Sequence, residues 1–172
     1  MNKKTSHLII DTLLLVVLII FDRISKNLAT IKLKGNEPFV LIKNVFELRY
    51  LENRGAAFSI FENKQTFFLV VTCIFIIVMI YAIIKLPVEK KYNIFEIVLV
   101  FLVSGAIGNM IDRIIQGYVV DYFYFSLIDF PIFNVADIYV SVGCVVFAII
   151  LLFVFKEEDL NFLSFKTTKK DE

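Results

Sequence analysis

Residues 94–115 read IFEIVLVFLVSGAIGNMIDRII, a run apolar and long enough to cross about 30 Å of hydrocarbon as a helix. Its polar residues are not scattered. Ser104, Gly108 and Asp112 recur at helical spacing in one row, and Gly105, Asn109 and Arg113 form the row beside it. Small residues in such rows let neighbouring backbones approach closely. This side of the helix is therefore predicted to pack against other helices or a bound peptide.

Three further runs have the same character, at about 8–24, 67–86 and 132–155. The chain of 172 residues is 59% hydrophobic, carries 19 Phe and has a mean hydropathy of +0.80. A soluble domain is nearer about 45–50% apolar. The sequence thus predicts an all-α membrane protein with four transmembrane helices, folded as a single domain over 1–172. The N-terminal Met1-Asn2-Lys3-Lys4 and its apolar run imitate a secretory signal. The following Phe21-Asp22-Arg23-Ile24-Ser25-Lys26 offers no small-residue cleavage site, so the segment reads as a retained span.

An even number of spans places both termini on one side. Lys3, Lys4, Lys85, Lys90, Lys91, Lys156, Lys166, Lys169 and Lys170 assign that side to the cytoplasm. The short, purely basic Lys90-Lys91 turn carries most of this assignment. The outer segment, 27–65, balances its own basic residues with Glu37, Glu47, Glu52 and Glu62. Within it, Phe46-Glu47-Leu48-Arg49-Tyr50 alternates apolar and charged side chains, the period of a half-buried strand, and Phe39-Val40-Leu41-Ile42 is its predicted partner. A small extracytoplasmic β-sheet is expected between the first and second spans. The stretch 156–172 is a polar tail, with disorder expected over Lys166–Glu172.

A net charge of +1 gives no basic field, so nucleic acid is not an expected partner. Cys73 and Cys144 lie in apolar runs without a C-x-x-C partner and read as buried, inert thiols. The lone histidine, His7, lies apart from every polar cluster, so zinc hydrolysis and Ser-His catalysis each lack a part. Neither metal nor cofactor is expected.

The carboxylates within apolar stretches are the informative residues, since each costs roughly 2.5–3.5 kcal/mol to insert. Asp22 and Lys26 stand in the favourable order for a helical ion pair and read as structural. Asp112 reads as a partner of Arg113 at a helix end or as a site residue, and Asp11 as a solvated group at the cytoplasmic boundary. Asn134, Asp137 and Ser141 share one face of the fourth run, while Phe133, Ile138, Val142 and Val145 project elsewhere. Asp121 and Asp137 have no basic residue within a helical turn. Asp121 lies in a non-helical connection over 118–131, and Pro131 lets the chain double back to bring the two carboxylates together. On these residues alone, a catalytic pair, a structural role, an ion-coupled transporter and a non-catalytic scaffold all stay open.

Four stretches taken together resemble one family: Asp22-Arg23-Ile24-Ser25-Lys26, Asn53-Arg54-Gly55-Ala56-Ala57-Phe58-Ser59, Gly108-Asn109-Met110-Ile111-Asp112-Arg113, and Val119-Val120-Asp121 with Phe133-Asn134-Val135-Ala136-Asp137. In this order, over nearly the whole chain, they are similar to the lipoprotein signal peptidase family, signal peptidase II. The resemblance implies a multi-pass aspartic endopeptidase of the bacterial inner membrane, with its active site toward the outer face; a monomer is expected. Its partners would be membrane lipid and a diacylglyceryl-modified prolipoprotein, cleaved before the lipidated cysteine. By motif, Asp121 and Asp137 would be the catalytic pair, and Asn53, Gly55, Asn109, Arg113, Asn134 and Ala136 would bind substrate or support the site. Asp22, Lys26, Gly108 and Asp112 would hold structure or support the site, and Asn53–Ser59 would help to roof the cleavage site. Tyr122 departs mildly from the pattern, which more often has Phe there.

Overall fold

The computed structural model describes residues 2–55 and 65–163, so Ala56–Ser59 of the expected roof and the tail Lys166–Glu172 lie outside the described residues. The described residues form four α-helices, α1 (Lys3–Leu33), α2 (Gln65–Lys85), α3 (Asn93–Gln116) and α4 (Val135–Ile149). A π turn over Ile150–Val154 extends α4, and a 3-10 segment, Glu157–Leu163, follows. Three strands, β1 (Phe39–Ile42), β2 (Phe46–Asn53) and β3 (Val119–Tyr124), form one antiparallel sheet in the order β1-β2-β3. Among the described residues, three helices are long and apolar enough to cross a membrane: α2, α3 with its preceding turn, and α4 with its π extension. Helix α1, which carries Asp11, Asp22, Arg23 and Lys26, does not meet that measure.

Helix α3 is the centre. It packs against α1, α2 and α4, and Leu99, Val100 and Val103 on it are fully buried. The outward faces are apolar too, as Ile77 on α2 and Val145 on α4 illustrate. This is the surface expected of helices that face hydrocarbon. Cys73 and Cys144 are free thiols on this exposed surface, not buried as expected. An apolar run cannot by itself separate a core face from a lipid face, because both exclude water.

The small residues of α3 set its distance to α1 and α4. A Cβ on Gly105 would stand 2.5 Å from the Ala136 carbonyl oxygen and 2.8 Å from Val140 Cγ2. One on Gly108 would stand 2.6 Å from Asp22 Oδ2. Gly105→Ala is therefore expected to push α4 off α3 and lower stability by about 1–3 kcal/mol, the usual range for overpacking. Thermal unfolding in detergent would check it, and an unchanged midpoint would contradict it.

Two boundaries differ from the sequence reading. Helix α1 runs to Leu33, beyond the expected end near 24, so the outer connection starts after Leu33. The charges that follow the apolar run are buried: Asp22 is 0% and Lys26 1% exposed, so the helix continues through an internal ion pair. Helix α4 starts at Val135, not near 132. Phe133 is held in extended form by hydrogen bonds with Phe123 in both directions, and Asn134 is the N-cap.

The expected pairing of β1 with β2 is present, with Phe39 opposite Leu48. The third strand is an addition. Gly117, at φ 76°, closes α3 in the left-handed conformation that favours glycine, and its N–H returns to Arg113 O. The chain then turns into β3, where Asp121 lies opposite Leu51 and Val119 opposite Asn53. At the opposite end of β3 the rings of Phe46, Phe123, Phe125 and Phe133 pack together, Phe46 stacked on Phe123 and Phe125 on Phe133. Strand pairing thus carries Asp121 from the end of α3 to the start of α4.

Candidate active site

Four elements meet at the two aspartates. Strand β3 supplies Asp121, β2 supplies Asn53, α3 supplies Asn109, and the first turn of α4 supplies Asn134 and Asp137. Asp121 Oδ2 accepts from Asn53 Nδ2 at 2.8 Å and Oδ1 from Asn134 Nδ2 at 2.6 Å. Asp137 Oδ1 accepts from Asn109 Nδ2 at 2.7 Å, and Oδ2 from the Asn134 backbone N–H at 3.1 Å. Asn134 thus touches both carboxylates, one by its side chain and the other by its backbone.

The asparagine amides are oriented by what lies behind them. The Gly55 N–H donates to Asn53 Oδ1 at 3.0 Å, so the Asn53 amino group turns to Asp121. The Asp137 N–H donates to Asn134 Oδ1 at 3.0 Å in a reciprocal capping box, which turns the Asn134 amino group the same way. Lys26 Nζ donates to Asn109 Oδ1 at 2.8 Å, leaving the Asn109 amino group for Asp137. All four carboxylate oxygens face N–H donors.

Burial foremost, and the charge of Asp137 next, push the Asp121 carboxyl up to about 7, against the opposing pull of the Asn53 and Asn134 amides. A buried carboxyl that keeps a proton near neutrality beside a second carboxyl is what acid–base chemistry requires. A cavity of about 310 Å³ opens at Asp137 between α2, α3 and α4, lined by Phe75, Ala106, Asn109, Arg113 and Val140 among others. Its walls are mostly apolar, with Asn109, Arg113 and Asp137 as their polar residues from the site.

The residues singled out from sequence fall into two layers. Asp121, Asp137, Asn53, Asn109 and Asn134 form one connected hydrogen-bond cluster. Arg113 borders it, donating to Asn109 O at 3.4 Å and Gly55 O at 3.2 Å, with its guanidinium over the Phe68 ring. Behind them lie Asp22, Lys26 and Asp112. Lys26 Nζ is 2.9 Å from Asp22 Oδ2 and 3.0 Å from Asp112 Oδ2. Gly108 backs directly onto Asp22. Ala136 belongs with this second layer: it is fully buried and its N–H donates to Asp22 Oδ1 at 3.0 Å.

The reading of Asp112 as a partner of Arg113 is corrected. Asp112 binds Arg23, Lys26 and the Val120 N–H. Consecutive helix residues point about 100° apart, so Asp112 faces α1 while Arg113 faces the cavity. Arg23 was the missed partner, and its place beside Asp22 and one turn before Lys26 was the available signal. Asp11, expected to be solvated, is half-buried and interacts with Glu96 and His7, while His7 Nδ1 lies 2.8 Å from Glu96 Oε2.

A family model described as signal peptidase (SPase) II matches residues 14–153. A lipoprotein signal peptidase of Clostridium tetani is 42% identical over 151 residues, covering 86% of this chain and 94% of that protein. One from Caldanaerobacter subterraneus subsp. tengcongensis is 42% identical over 143 residues, covering 82% and 95%. Two solved structures, each described as a bacterial membrane enzyme, superpose with a TM-score of 0.72. One is 33% identical and covers 92% of this chain and 94% of its own; the other is 34% identical and covers 84% and 94%.

Proposed function

The chain belongs to the signal peptidase II family, and from that premise we propose that Asp121 and Asp137 are the catalytic pair of this aspartic peptidase. It is a bacterial membrane enzyme that removes the signal peptide from prolipoproteins. The scissile bond precedes the diacylglyceryl-modified cysteine. The observation that carries the site assignment is Asn134, which holds both carboxylates at once, at 2.6 Å and 3.1 Å.

Two carboxylates in one buried site cannot both ionise cheaply, so one holds a proton and the other is anionic. The anionic member takes a proton from a water between them as that water attacks the scissile carbonyl. The protonated member hydrogen-bonds the carbonyl oxygen and then helps to protonate the leaving amine. Asn53, Asn109 and Asn134 fix the pair, and Arg113 and the Gly55 backbone border the peptide. The apolar signal helix would lie in the cavity between α2 and α4, on α3. No cofactor is needed.

The chain folds as one domain of four spans, with α1 as the fourth and its charges neutralised inside the bundle. Lys4 Nζ donates to Ile83 O and Leu86 O at 2.8 Å each, and Lys91 pairs with Asp159. These contacts gather the start of α1, the end of α2, the start of α3 and the Glu157–Leu163 segment at the lysine-rich end of the bundle. That end faces the cytoplasm, and the sheet with the dyad faces outward. The active unit is the monomer.

A purified sample offered a synthetic lipidated precursor and its unlipidated twin should release a peptide beginning at cysteine from the first alone. Cleavage of neither would end the functional reading, and equal cleavage of both would end the lipid requirement. A pH dependence also follows. Asp121 holds its proton below about 7 and loses it above, so cleavage should fall as pH rises through about 7. A rate that keeps climbing well past that point would contradict it.

A further inference from the structure

The two carboxylates are not equivalent in their surroundings. Asp137 stands in the first turn of α4, where the helix dipole favours a negative charge, and closes the capping box with Asn134. Asp121 stands on a strand and meets the start of α4 only through the side chain of its N-cap, Asn134. The donors differ as well. The Asn53 amide on Asp121 is backed by a neutral peptide N–H, whereas the Asn109 amide on Asp137 is backed by the Lys26 ammonium.

An ammonium has three donors and no acceptor. The Asn109 atom facing Lys26 Nζ at 2.8 Å must therefore be the oxygen, which also accepts from Asn134 Nδ2 at 3.2 Å. Turning that amide over would set its amino group against two donors. Its N–H is held toward Asp137 Oδ1, where an anionic oxygen is the better acceptor. On the reading that Asp121 and Asp137 are the catalytic pair, we propose that Asp137 carries the negative charge and acts as base while Asp121 supplies the proton, and that Lys26 is the positioning residue that sets this polarity through Asn109.

Lys26 brings no net charge to its cluster. Arg23 and Lys26 sit against Asp22 and Asp112, so the cluster is neutral. Beside its direct attraction for Asp137, Lys26 reaches that carboxylate through the hydrogen bond to Asn109. The charged and titratable groups facing Asp137 are Asp121 from β3, Arg113 from α3 and Lys26 from α1, with Asp22 and Asp112 flanking Lys26. The α2 residues on this cavity, Val71, Thr72 and Phe75, add no charge.

The double substitution Asp22→Asn with Lys26→Met removes the pinning donor and keeps the cluster neutral. Its pH–activity profile on the lipidated precursor should show the acid-side midpoint raised by about one pH unit, as weakening of the no longer pinned Asn109 hydrogen bond to the Asp137 carboxylate gives, with KM little changed. A variant that only unfolds more easily, with an unmoved midpoint, would overturn the role of Lys26. Infrared spectra of the full-length enzyme test the polarity even where the double variant fails to fold. Measured against the Asp121→Asn/Asp137→Asn double, the protonated-carboxyl band should be present in the native protein and lost in Asp121→Asn. A band that survives in Asp121→Asn would overturn the assignment. Full activity in both single asparagine variants would instead overturn the dyad itself, which keeps the two failures distinct.

Discussion

Asp121→Asn and Asp137→Asn are each expected to reduce cleavage of a lipidated precursor by on the order of 10³-fold or more, within the range that loss of a positioned acid or base gives. Asparagine matches aspartate in size but neither takes nor supplies the proton. Both proteins should still accumulate in the membrane. At Asp121 the new amide would turn one N–H toward an amide donor, Asn53 or Asn134. That clash costs about 1–3 kcal/mol, and removing a buried carboxyl partly offsets it. Cleavage of the precursor by membranes of matched protein content is the check. Substantial turnover by either variant would take that residue out of the chemistry.

Loss of the buried ion cluster should act first on stability. Lys26 is 1% exposed and lies between Asp22 and Asp112, both fully buried or nearly so. Lys26→Ala would leave one uncompensated negative charge among them, and removal of one partner from a buried pair costs about 3–5 kcal/mol. Asp22→Ala would in addition strand the Ala136 N–H at the start of α4. Thermal unfolding in detergent and membrane yield should both fall sharply. A fully stable but inactive Asp22→Ala protein would move Asp22 into the reaction itself.

These expectations show where the sequence was legible. Apolar length located α2, α3 and α4 to within a few residues, because a span needs a minimum run of hydrophobic side chains. The alternation in Phe46–Tyr50 was enough for β2, and the spacing of Asp22 and Lys26 was enough for their pair. Strand β3 was not legible. Val119–Tyr124 is buried through most of its length and shows no alternation, and its pairing partner is more than sixty residues away. Helix α1 was cut short because charges inside a run read as its end when they are in fact its buried face. The link from Lys26 through Asn109 to Asp137 joins three helices, and local spacing does not register a contact of that kind. The aspartates themselves stood out because unpaired acids beside apolar runs have few bland explanations.

The most direct measurement is a crystal structure grown from a lipid phase at a resolution where ordered water is visible. One water should lie within about 2.6–3.2 Å of an oxygen of Asp121 and an oxygen of Asp137, the reach that proton transfer requires. Carboxylate oxygens held too far apart for one water to bridge would contradict the shared site and the mechanism built on it.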